Sequence, residues 1–231
     1  VGRAWMIYAK PEGLTSWYRV METVTGGKWF KDVYAFLKRY EDYYNKQTLI
    51  EEEIPTGPVP RSWSALARAF YSIKDDIEKL LKTDDGQREL IAIASAFVGV
   101  EAATQFVAFL SKPVVAVEDV IKNPHLLDKV AEDMDLTFRF TVQLVQKLEN
   151  TFKDEKKDPF SYLKLLVDLM EKTTEDIGVF AYEMLSDETR RALKAKINAG
   201  FTSKDPVKKR VSRKINDMLV NLSVADILLG T

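Results

Sequence analysis

Arg61 is the residue whose type and place could do chemistry. It is second in Pro60-Arg61-Ser62-Trp63, just after the stretch Glu51 to Val59 with its Pro55, Gly57 and Pro58. From Pro60 onward, Trp63, Leu66, Ala67 and Phe70 recur at i, i+3, i+4 and i+7, which predicts a helix with one apolar face. Pro60 suits the first helical position, because the N–H it lacks would be unpaired there anyway. A cation in the first turn opposes the helix dipole at a cost of about 0.3–1 kcal/mol. Arg61 is better accounted for if its guanidinium shares an anion with the free N–H groups of the helix start, and phosphate is the usual anion there. A solvated surface arginine is the alternative that spacing alone leaves open.

Other candidates are weaker. The single histidine, His125, follows Pro124 in a turn, with no nearby partner for catalysis. Glu132, Asp133 and Asp135 could bind a cation, but a solvated helix face is the expectation, and no metal site is expected. Lys208, Lys209, Arg210, Arg213 and Lys214 form a basic cluster on the last helix, opposite Val207, Val211, Ile215, Met218 and Leu219. Contact with a nucleic-acid backbone is one use of such a face. A solvated face is preferred, since the chain has 34 Lys and Arg against 35 Asp and Glu. There is no G-x-x-x-x-G-K-[ST] loop to cradle phosphates, because Gly26-Gly27-Lys28 lacks both the spacing and the hydroxyl residue. No apolar strand ends in Asp-Glu to hold magnesium, and neither G-x-S-x-G nor H-E-x-x-H occurs.

The elements that must position Arg61 read as helices throughout. Trp5 to Tyr8 begins a short amphipathic segment, and Pro11 to Gly13 breaks it. Trp17, Tyr18, Val20, Met21 and Val24 predict a helix ended by Gly26-Gly27. Phe30 to Tyr44 is the next helix, with Phe30, Val33, Tyr34, Leu37 and Tyr40 on one face; these aromatics are expected in a core, not on a base-stacking surface. Glu51 to Glu53 reads as a solvated run. After the Arg61 helix, Asp75 to Leu81 is helical, Asp84-Asp85-Gly86 is a turn, and Leu90 to Val98 is apolar on nearly every side and so expected at the centre. Gly99 ends that helix, and Glu101 falls in the first turn of the next. Ala102, Ala103, Phe106, Val107 and Leu110 give the latter its buried face, and Pro113 and Pro124 punctuate the connection beyond it. Leu126 to Phe152 is a long helical region with a break near Asp135, and Lys153 to Pro159 is a polar loop. Phe160 to Met170, Thr174 to Leu185 and Glu188 to Ile197 are helical, with Gly200 as a C-cap. A last helix starts at Ser203 to Pro206 and runs to about Leu222. No alternating strand and no internal repeat appears, so the class is all-α.

Composition bounds the rest. The chain has 231 residues, 46% hydrophobic and 30% charged, an ordinary globular balance. It has no cysteine, which excludes disulfides, thiolate metal sites and cysteine nucleophiles. The most apolar run, Leu90 to Val100, is too short to span a bilayer. No signal-peptide pattern opens the chain, and a cytoplasmic location is expected. Val1 stands where an initiator methionine would, which fits a fragment or a trimmed chain.

Several segments share one resemblance. Pro60-Arg61-Ser62-Trp63 resembles the signature at the sensor 2 position in the helical lid of MoxR-like AAA+ ATPases. Trp5-Met-Ile-Tyr8-Ala9, Val33-Tyr-Ala-Phe-Leu37, Phe97-Val-Gly99-Val-Glu101-Ala-Ala-Thr-Gln-Phe106 and Ile121-Lys-Asn-Pro124 are similar to other lid segments, in the same order. The resemblance implies a lid-like multi-helix bundle over residues 1–125 and a helical extension over 126–231. It implies that Arg61 is the sensor 2 arginine, serving catalysis and ATP binding by a nucleotide-hydrolysing core absent from this chain. ATP and Mg would be cofactors of the parent protein, with none bound to this chain alone and no activity expected from it. The implied partners are the core of the same polypeptide, a homo-oligomeric ring and an unknown protein substrate. Nucleic acid and membrane are not expected. A free-standing helical adaptor, or a nucleic-acid-binding protein using the basic C-terminal helix, is the alternative.

Overall fold

The computed structural model describes residues 13–44, 57–154 and 157–229, with side chains described as far as 223. The Trp5–Ala9 segment and the Glu51–Glu53 run lie outside these residues. Among the described residues there are helices and turns but no strand, so the protein is an all-α, multi-helix bundle. None of these helices is long and apolar enough to cross a membrane. Contacts divide the chain into two compact units, Val1–Ser111 and Lys112–Thr231. The division falls ahead of residue 125, where the motifs draw their boundary.

In the first unit, α1 spans Leu14–Thr25 and stops at Gly26, whose φ of 59° is a left-handed cap that glycine adopts without strain. Trp17, Tyr18 and Met21 are buried, while Val20 and Val24 are exposed. Helix α2 runs only from Asp32 to Arg39, and not on to Tyr44 as the periodicity suggests. Tyr40 leaves helical geometry and leads into a 3-10 turn, Glu41–Tyr43. The break lets Tyr40 pack its ring against Phe36 and Phe109.

Helix α3, Pro60–Ser72, buries Trp63, Leu66, Ala67 and Phe70, the stripe read from their spacing. Helix α4 is Lys74–Leu80 and α5 is Asp84–Val98. Asp84-Asp85-Gly86 is therefore the first turn of α5 and not a loop. The Thr83 hydroxyl caps it by accepting from the Gly86 N–H at 3.1 Å, and the two carboxylates face the positive end of the dipole. Residue 86 must be glycine, because a Cβ there would lie 2.2 Å from the Leu80 carbonyl oxygen.

α5 is not central. Only Leu90, Ala94, Val98 and Gly86 are buried, one residue per turn, while Ala92 and Ala96 are exposed and Phe97 is half-buried. Gly99, with φ 79°, lets the chain fold back into α6, Val100–Ser111. The core lies at α6, where Ala102, Ala103, Phe106, Val107, Phe109 and Leu110 are buried. Around it the rings interlock. Phe36 packs on Trp63, Phe106 and Phe109 at 5.3–5.7 Å between centroids, and Phe70 packs on Phe30 and Phe106. Of the aromatics of 30–44, Tyr34 and Phe36 are core, and Phe30, Tyr40, Tyr43 and Tyr44 are half-buried around them.

The second unit has α7 (Val117–Lys122), α8 (Leu126–Ala131), α9 (Met134–Phe152), α10 (Phe160–Lys172), α11 (Glu175–Met184), α12 (Asp187–Thr202) and α13 (Pro206–Leu229). The break in the long region falls at Glu132-Asp133, and the Asp133 carboxylate caps α9 by accepting from the Asp135 N–H at 2.9 Å. Gly200 is not a C-cap. It lies inside α12, buried, and a Cβ there would stand 1.9 Å from the Ser212 Oγ of α13. α13 continues beyond Leu222 to Leu229.

Candidate functional site

The start of α3 is fixed by side chains on both sides of Arg61. Pro60 occupies the first helical position. The Ser62 hydroxyl accepts from the Val59 N–H at 3.0 Å and lies 2.8 Å from the Val59 carbonyl oxygen. It does for this helix what the third residue of a capping box does. The first intrahelical bond, Trp63 N–H to the Val59 carbonyl at 3.1 Å, comes after the amides of Arg61 and Ser62. No acidic residue stands in the first turn.

Two tryptophans anchor this turn. Trp63 is fully buried, and its indole N–H donates to the Tyr43 carbonyl at 2.8 Å. The Trp17 indole N–H lies 2.9 Å from Ser64 Oγ and 3.2 Å from the Pro60 carbonyl. Trp17 also stacks edge-on against Trp29 at 5.5 Å. A helix start pinned this way keeps its own orientation, and with it the direction in which Arg61 leaves the surface.

Arg61 is exposed and makes no hydrogen bond or ion pair with any described residue. Arg68, two turns on, is exposed as well, but its Nε donates to the Ser64 carbonyl at 3.2 Å. The arrangement therefore offers one guanidinium unpaired among the described residues, beside two amide N–H groups that precede the helical ladder. It can receive an oxyanion delivered from outside. Sequence reasoning found Arg61 and Trp63 but missed Trp17 and Ser62. The signal for Ser62 was its place, three residues after Val59 at a helix start; Trp17, more than forty residues away, left none.

The other candidates fall elsewhere. His125 is exposed just before α8. The acidic cluster is not a solvated face. Lys112 sets its ammonium 2.8 Å from Asp133 and 2.7 Å from Asp135, and Asp135 is buried. Burial pushes the Asp133 carboxyl up, but the Lys112 hydrogen bond and the Asp135 amide outweigh it and hold it below its ordinary value. A lysine thus stands where a cation was considered, and no group of three or more His, Cys, Asp or Glu among the described residues could hold a metal ion.

The basic cluster is partly neutralised. Lys208 pairs with Asp158 at 2.8 Å and lies over the Phe160 ring, and Arg210 pairs with Asp168 and Glu171. On its apolar side Val211, Ile215 and Met218 are buried, and Val207 is exposed.

The chain matches no family model, and no curated protein or solved structure is significantly similar to it.

Proposed function

We propose that this chain is the helical lid and extension of a MoxR-like AAA+ ATPase, and that Arg61 is its sensor 2 arginine. The observation that carries the reading is an exposed guanidinium with no carboxylate partner among the described residues, at the second position of a helix whose first turn is held by Trp17, Ser62 and Trp63. Its support is the agreement of that geometry with the order of the lid-like motifs along the sequence.

In this reading, a nucleotide-hydrolysing core of the same polypeptide binds ATP and Mg and brings the γ-phosphate to Arg61. The guanidinium then stabilises charge that develops on the transferred phosphoryl group. The rigid anchoring of α3 converts the presence or loss of that phosphate into movement of the whole helical unit, the usual currency of such switches. The parent works as a homo-oligomeric ring that remodels a protein substrate, and this chain alone hydrolyses nothing. The test is ATP turnover by the polypeptide that carries the core, with Arg61→Ala against wild type. Wild-type turnover by a folded, oligomeric Arg61→Ala protein would refute the assignment.

A further inference from the structure

Charge is unevenly spread along this chain. Residues 190–214 carry ten Lys and Arg against one acid, Asp205, although the whole chain is balanced at 34 against 35. The stretch covers most of α12, the turn after it and the start of α13. The two helices pack as a hairpin, and Gly200 brings them together at Ser212. Cations that the sequence separates into two runs thus stand on adjoining helices.

Three of the ten serve the fold. Arg190 donates to the carbonyls of Tyr182 and Glu183 at 3.1 and 2.7 Å, Lys208 pairs with Asp158, and Arg210 with Asp168 and Glu171. Lys196 lies close enough to Asp158 to help hold that carboxyl low, after burial, which raises it, and the Lys208 hydrogen bond. Arg191, Lys194, Lys204, Lys209, Arg213 and Lys214 are exposed, with no carboxylate partner among the described residues. At helical period, Lys209 and Arg213 lie opposite the buried Val211 and Ile215, and Arg191 opposite the buried Leu193 and Ile197. Like charges on the exposed side of one hairpin repel each other, and an external polyanion relieves that repulsion.

We propose that the solvent face of the α12–α13 hairpin binds the phosphodiester backbone of a duplex nucleic acid. An anionic membrane fits less well. Interfacial helices embed an apolar face, and here those faces are inside the unit; only Phe201 and Val207, 40% and 43% exposed, stand out near the turn. An acidic protein partner would need anchor residues at the centre of its footprint; Phe201 and Val207 sit near the turn, and on the Arg191 face of α12 the outward positions hold no large apolar residue. They hold Asn198 and Thr202, which suit hydrogen bonds to phosphate oxygens. Such contacts carry no sequence information, so binding is sequence-independent and falls steeply with salt. The proposal does not depend on the ATPase reading.

Fluorescence anisotropy of a labelled duplex of about 20 bp, in DNA and RNA forms and titrated with the full chain, tests it. Reversing Arg191, Lys194, Lys209 and Arg213 to Glu should weaken binding at least tenfold and reduce the log–log salt slope by about 3–4, near 0.9 for each phosphate no longer neutralised. Reversing the exposed Lys28, Lys82, Lys129 and Lys153 to Glu matches the change in net charge and should cost less than about threefold. If the first variant does not fold, Lys209→Gln with Arg213→Gln should still lower the slope by about 2. Binding of either duplex through the hairpin upholds the proposal, and the two arms tell DNA from RNA. It is overturned if neither duplex binds at about 50 mM salt, if the control variant is equally weakened, or if phosphatidylserine vesicles bind at that salt while both duplexes do not.

Discussion

The two units are held together by different forces. In Val1–Ser111 a cluster of rings joins α1, α2, α3 and α6: Phe36 alone meets Tyr40, Tyr43, Trp63, Phe106 and Phe109. In Lys112–Thr231 the described rings offer one such pair, Phe138 with Phe180. Its helices are cross-linked by charge over an aliphatic core instead: Lys147 to Glu118, Lys172 to Asp128, Lys208 to Asp158 and Arg210 to Glu171. An aromatic core fixes shape by close packing and is indifferent to salt. An ion-paired shell contributes little per pair and depends on its solvent. Arg61 stands on the ring-packed unit.

The described tryptophans, Trp17, Trp29 and Trp63, lie in the first unit, so their fluorescence follows that unit while far-UV circular dichroism follows both. The largest expected effect is there. Trp63→Ala or Phe106→Ala should each cost about 3–5 kcal/mol, seen as a lowered midpoint in the fluorescence-detected melt. Half-buried Phe97 should cost about 1 kcal/mol when truncated, since much less of it leaves water. Equal losses at 97 and 106 would move the core from α6 to α5.

In the second unit, Gly200→Ala should cost about 1–3 kcal/mol by overpacking against Ser212. Ser212 Oγ is buried with no hydrogen-bond partner among the described residues. Adding Ser212→Ala should therefore recover part of the loss, a coupling that a double-mutant cycle measures. Simple additivity would place the α12–α13 contact elsewhere. Lys112→Met leaves the buried Asp135 without that ammonium and should cost about 1–3 kcal/mol.

The pairs Lys147–Glu118, Lys208–Asp158 and Arg210–Glu171 should give about 0.2–1 kcal/mol each and lose it in high salt. Their pH dependence has a definite sign. The hydrogen bond from Lys147 holds the Glu118 carboxyl below its ordinary value, and the Asp133 and Asp158 carboxyls are also low, their lysine partners outweighing burial. Depressed carboxyls stabilise the fold above their unfolded pKa, roughly 4, and cease to do so as pH falls through the lower folded values. Acidification below about pH 4 should therefore reduce the dichroism signal before tryptophan fluorescence changes. Simultaneous loss of both signals would show that the units do not differ in this way.

The legibility of the sequence divides in the same way. The α3 stripe was readable because its period and its proline agree, and the cut between α5 and α6 because Gly99 is needed there for backbone reasons. Asp84-Asp85-Gly86 has the composition of a turn, and what makes it a helix start is the Thr83 cap and the fit of Gly86 over Leu80. Gly200 read as a helix end because a glycine that admits a neighbouring helix looks the same in one dimension. Lys112 carried no signal, since its carboxylates lie more than twenty residues away. Arg61 and Trp63 were legible as a motif, but the anchor from Trp17 belongs to tertiary structure.

The most direct test of the sensor assignment is the kcat for ATP hydrolysis of the core-containing polypeptide, for wild type, Arg61→Ala, Arg61→Lys and Arg68→Ala. An arginine that acts as charge develops on the phosphoryl group should, when removed, lower kcat about 10²-fold or more while weakening ATP binding less. Lysine should rescue little, because a point ammonium does not reproduce the planar fork. Arg68→Ala should turn over at close to the wild-type rate. Wild-type kcat in Arg61→Ala, or an equal loss in Arg68→Ala, would contradict a placed phosphate ligand at the start of α3.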